Sequence, residues 1–162
     1  MGMENGSTIK GINISGTNNI FVFSHTIYFD SFLHKKSGFI HQTWQNWQSF
    51  DILDAPGLRG VWITDVTALT VVGTTGAIYR LNLTEWEDQS FSEIEGTLEA
   101  VWGPTNSELL FAAGDDALLY YDGSTWTMDA LPISEDGSGF RAKDIHGLDE
   151  ANVWAVGEKG KA

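Results

Sequence analysis

The chain has 162 residues, a length that fits one domain or one long piece of a repeat array. Its 22 Asp and Glu against nine Lys and Arg give a formal net charge of -13, which sets nucleic acid aside as a partner, and the absence of cysteine excludes disulfide frameworks, thiolate metal sites and cysteine nucleophiles. No apolar run approaches the roughly 18 residues of a membrane span, while 18 Gly, seven Trp and nine Phe make the turn-rich, aromatic composition of an all-β protein.

Residues 1–8 read as a disordered start or a cloning scar, with Met3 as the older initiator. Met1-Gly2 resembles a myristoylation start, but Gly6 stands where Ser or Thr is needed. The first periodic element is Ile9-Lys10-Gly11-Ile12-Asn13. It recurs at intervals of roughly 40–50 residues as Leu58-Arg59-Gly60-Val61-Trp62, Leu98-Glu99-Ala100-Val101-Trp102 and Ala142-Lys143-Asp144-Ile145-His146. After each comes an apolar run that ends in a small residue, at 20–24, 69–73, 109–114 and 153–157. A third segment ends in Tyr79 or Tyr120, and a fourth opens at Trp86 or Trp126. Gly73-Thr74-Thr75-Gly76 and Asp122-Gly123 supply tight turns between them. The spacing thus predicts four short strands per unit, and the continuous apolar second strand predicts burial on both faces.

The first unit departs from this plan. If 26–30 is its third strand, Trp47 arrives late, and an insertion near 31–43 separates the third strand from the fourth. A competing register makes 38–41 the third strand and 24–37 the insertion. The inserted segment carries His34, Lys35 and Lys36, a basic patch in an acidic chain.

A unit of about 40 residues with four strands is one blade of a β-propeller. The expected architecture is all-β, with blades of four antiparallel strands and about three and a half blades present. Blade 1 spans 9–57, blade 2 spans 58–97, blade 3 spans 98–141, and 142–162 is the first half of blade 4. The half-blade leaves the edge of its second strand, along Val153-Trp154-Ala155-Val156, open to self-association.

Leu98-Glu-Ala-Val-Trp102-Gly, Leu119-Tyr-Tyr-Asp122-Gly-Ser-Thr-Trp126 and Asn152-Val-Trp-Ala-Val-Gly157 resemble the repeats of bacterial propeller proteins of the "VWG…DVWAVG…YDGxxW" type. These are related to the Asp-box and photosystem II assembly-factor propellers. The chain lacks a true Asp box, because Gly123 follows Asp122 at once, and it lacks the glycine doublet of kelch repeats. The resemblance implies binding of an anionic partner segment through a basic patch, in a secreted or cell-surface setting; with no catalytic constellation in the sequence, the expectation is a non-enzymatic module that recognises a protein segment or acidic ligand.

The residues themselves point the same way. The second position of the first strand is Lys10, Arg59, Glu99 and Lys143, basic in three units of four. On innermost strands these cations gather near one mouth of a central channel. Lys10, Arg59 and Lys143, with His34, Lys35 and Lys36 of the insertion, are therefore the candidate binding residues. Trp62, Trp86, Trp102, Trp126 and Trp154 recur at equivalent places and read as packing elements, and His146, in the place of a Trp, as a packed histidine. The four His lack metal-ligand spacing, and the acidic turns at Asp115-Asp116 and 135–139 lack the alternation of a calcium loop. Neither a nucleophile elbow nor a phosphate loop is present, and no cofactor is implied. Two alternatives stand beside the binding module: a carbohydrate-active enzyme or lectin-like surface protein, and a structural spacer of a larger surface protein.

Overall fold

The computed structural model describes residues 8–15, 19–25, 31–38, 44–51, 57–65, 68–82, 85–105, 107–115, 117–129 and 139–158, with backbone alone for the strands up to Asp51. The protein is all-β. Strands β1 (Thr8–Ser15), β2 (Asn19–His25), β3 (Ser31–Gly38) and β4 (Trp44–Asp51) form one antiparallel sheet in chain order. A second sheet holds β5 (Leu58–Asp65), β6 (Ala68–Gly73), β7 (Ile78–Asn82) and β8 (Glu85–Asp88) in the same order. The third holds β9 (Leu98–Trp102), β10 (Leu110–Gly114), β11 (Ala117–Tyr121) and β12 (Trp126–Asp129), and the last pairs β13 (Ala142–Asp149) with β14 (Asn152–Gly157). Among the described residues the sheets do not close on one another. No α-helix occurs among the described residues.

The first and second strands of each unit, and the fourth strand of the first three, lie where the sequence places them, but the third strand of the first sheet differs. Ser31–Gly38, read as an insertion, is β3 itself, running from the His25↔Ser31 pair to Asn19↔Ser37 on β2 and against β4 on its other side. The first sheet therefore carries its extra length in longer strands: β3 and β4 have eight residues each, against five and four for β7 and β8. Main-chain ladders are indifferent to side-chain polarity, so Ser31-Phe-Leu-His-Lys-Lys-Ser-Gly pairs without an apolar signature. The 26–30 segment, the 39–41 part of the competing register, the start at 1–7, Asp116 and the acidic turn at 135–138 lie outside the described residues.

Turn chemistry sets the hairpins. Thr75 (φ 56) and Gly76 (φ 65) are both left-handed, and the Ala77 N–H donates to the Thr74 carbonyl at 3.2 Å. This is the geometry of a two-residue primed turn, whose twist matches the flanking strands. Between β11 and β12, Asp122 Oδ1 accepts from the Ser124 N–H and the Thr125 N–H, both at 2.8 Å, and from the Ser124 hydroxyl at 2.9 Å. These bonds hold the Asp122 carboxyl below the usual carboxylate range, the Thr125 N–H most of all.

The glycine that ends the second strand of the second, third and fourth sheets has a steric cause. A Cβ on Gly73 would lie 2.4 Å from the Gly57 carbonyl oxygen, one on Gly114 would lie 1.9 Å from that of Thr97, and one on Gly157 would lie 2.3 Å from that of Arg141. The same three carbonyls accept the next N–H along, from Thr74, Asp115 and Glu158. Backbone meets backbone here, so only glycine fits.

The sheets stack in chain order through their first strands, β1 against β5, β5 against β9 and β9 against β13, and the second strand of each also packs on the first strand of the next. Val72 and Trp62 of the second sheet join Leu98, Val101, Ala112 and Leu119 of the third in one buried cluster. In the next interface, Ala100, Trp102 and Ala113 of the third sheet meet Ala142 and Ile145 of the fourth, with Val153 and Ala155 at the margin. Each middle sheet is thus buried on two faces, which is why β6 is apolar and covered from Leu69 to Gly73.

Candidate functional site

A β-bulge opens the first strand of every sheet, and the charged residue of the repeat is the extra residue in each. Pairing steps from Ile9 to Gly11 on β1, from Leu58 to Gly60 on β5, from Leu98 to Ala100 on β9 and from Ala142 to Asp144 on β13. Lys10, Arg59, Glu99 and Lys143 are the residues skipped. The charged position of the repeat is thus the bulge position in four neighbouring strands, and a bulged residue leaves the ladder.

Among these residues, Glu99 stands between two cations. Its Oε1 lies 3.2 Å from Lys143 Nζ, and its Oε2 lies 4.0 Å from Arg59 Nε. The first contact is a charge-assisted hydrogen bond; the second is an ion pair beyond hydrogen-bond reach, and the buried Arg59 Nε has no hydrogen-bond partner. Lys143 also meets Glu158 Oε1 at 3.5 Å. The hydrogen bond to Glu99 raises the Lys143 ammonium above the usual lysine range, against a smaller opposing effect of burial and with help from the charges of Glu99, Asp115 and Glu158. Arg59 and Lys143, expected as bare like charges, are joined through the one acidic residue at their repeat position. Sequence reasoning passed over Glu99, although its being the single acidic member of an otherwise basic position was the available signal.

Of the other candidates, Lys10 occupies the same bulge position on β1, and His34, Lys35 and Lys36 lie together on β3; for all four the description ends at the backbone. The aromatic expectations divide. Trp102 is buried, tilted against Trp62 at 6.0 Å and Phe111 at 6.1 Å between ring centroids. Trp86 and Trp126 are half-buried, and the Trp126 Nε1 donates to Gln89 Oε1 across the second and third sheets at 3.1 Å. Trp154 corrects the packing expectation, since it is 52% exposed. His146 is exposed as well, although its ring lies 5.7 Å from that of Trp102. The reason is common to both: they lie on the face of the fourth sheet that no described sheet covers.

Two further polar atoms are buried without hydrogen-bond partners, Trp62 Nε1 and Asp115 Oδ1. Among the described residues no three His, Asp or Glu side chains gather as metal ligands. No protein-family model, curated protein or solved structure matches the chain.

Proposed function

We propose that the chain is a run of β-propeller blades acting as a non-enzymatic binding module, and that it captures an acidic protein segment on the charged bulge residues of its first strands. One observation carries this reading: Arg59 and Lys143, from sheets on either side, both address the single carboxylate of Glu99. A carboxylate held between two cations marks the place where a ligand carboxylate is attracted, and Glu99 is the group it competes with. The chain-order stacking of meandering four-stranded sheets supports the blade reading.

The side chains of Arg59, Glu99 and Lys143 are partly exposed, so each contact is weak and affinity comes from several together. The test is fluorescence anisotropy of a labelled hexaglutamate peptide with wild type and with the double variant Arg59→Gln, Lys143→Gln. The expected outcome is saturable binding that weakens from low to physiological salt and is lost in the double variant, whose far-ultraviolet circular dichroism stays unchanged. Full binding by the folded double variant contradicts the reading and moves attention to His34, Lys35 and Lys36.

A further inference from the structure

The stacking has a direction. The face that one sheet offers to the next is built from four register positions: Gly60, Trp62, Thr70 and Val72 in the second sheet, Ala100, Trp102, Phe111 and Ala113 in the third. Thr70, Val72, Ala100, Trp102 and Ala113 are all buried, at 9% exposure or less, by the sheet that follows. In the fourth sheet the same positions are Asp144, His146, Trp154 and Val156. There Trp154 is 52% and Val156 48% exposed, and Leu148 beyond them is 79% exposed. This face keeps two large exposed apolar residues, Trp154 and Val156, at its centre.

The receiving face is equally regular. Leu58, Val61, Ile63, Leu69 and Val71 form a buried cluster on the other face of the second sheet, whose first strand lies against β1. The pairing register of β1 and β2 puts Ile9, Ile12, Ile14, Ile20 and Val22 at those five positions. The first sheet therefore has the receiving sequence although no described sheet precedes it.

We propose that two copies of this chain associate head to tail, the Trp154–Val156 face of the fourth sheet of one copy seating on the β1–β2 face of the other. The contact continues the interface that already joins the second sheet to the third and the third to the fourth. It is heterologous, a different surface from each copy, so it either closes a ring or extends. It uses the broad faces of the sheets and leaves the edge of β14 out.

The test is size-exclusion chromatography with light scattering, combined with hydrogen–deuterium exchange across a concentration series. Wild type is expected to reach at least twice the monomer mass as concentration rises. Exchange should slow with concentration both in 9–22 and in 144–156. Trp154→Lys and Val156→Lys, at exposed positions that leave Ile145, Val153 and Ala155 on the third sheet, should each return the protein to a monomer with an unchanged circular dichroism spectrum. Three results overturn the proposal: a monomer at every concentration, assembly that survives both lysine variants, or protection confined to 152–157, which means that two β14 edges pair.

Discussion

Lys143 Nζ lies 3.2 Å from Glu99 Oε1, and the two residues hold the same place in consecutive sheets, each the extra residue of the bulge that opens its first strand. The repeat thus ties its sheets together by charge as well as by apolar burial. Because the folded-state pKa of Lys143 is raised, its contribution is fully present below the unfolded lysine value and is lost as pH rises through the folded one. The window is alkaline, above about pH 10.4. Solvent screens the pair, since the Lys143 side chain is 44% exposed, so the effect is small. Wild type is expected to melt higher than Lys143→Gln at neutral pH, and the difference should shrink as pH rises through the alkaline range in which Lys143 loses its proton, as checked by thermal melts in matched buffers. A gap of the same size at every pH contradicts the assignment.

Trp102→Ala tests the apolar half of that connection. The indole is 5% exposed and touches Trp62 and Phe111 in its own interface and His146 in the next sheet. Removing a buried aromatic of this size costs about 3–5 kcal/mol. Urea unfolding should show that loss, with the midpoint lowered; an unchanged midpoint means that the ring does not hold the sheets together.

Much of this architecture was legible because the repeat announces it. Leu58, Leu98 and Ala142 head strands that the register aligns residue by residue, and the small residue closing each second strand was visible as Gly73, Gly114 and Gly157 before its cause, the facing carbonyl, was known. What stayed hidden depends on neighbours rather than on pattern. Ser31–Gly38 pairs through main-chain bonds that leave no apolar trace, whereas 26–30 carries the aromatic residues that a third strand has in the later units. The role of Glu99 arises only when three sheets stand side by side. Trp154 shares its repeat position with Phe111 and is exposed because nothing described covers it.

Thr75 is the one described residue other than glycine with positive φ, and its β-branched side chain is poorly suited to that conformation. Asparagine tolerates it and is favoured in primed hairpin turns. Thr75→Asn is expected to stabilise the protein by about 1 kcal/mol, read as a raised melting temperature. A lowered one means that the Thr75 hydroxyl, which donates to the Thr74 carbonyl, contributes more than the strain costs.

The central functional claim is that Glu99 sits where a ligand carboxylate competes for Arg59 and Lys143, and Glu99→Gln tests it most directly. Anisotropy titrations of labelled hexaglutamate at low salt should show binding tightened about two- to fivefold, the effect of releasing partly exposed ion pairs of a few tenths to 1 kcal/mol. Glu150→Gln changes net charge equally at an exposed residue in the turn before β14 and should leave the affinity unchanged. Binding that is unaltered or weakened by Glu99→Gln, or tightened as much by Glu150→Gln, contradicts the account.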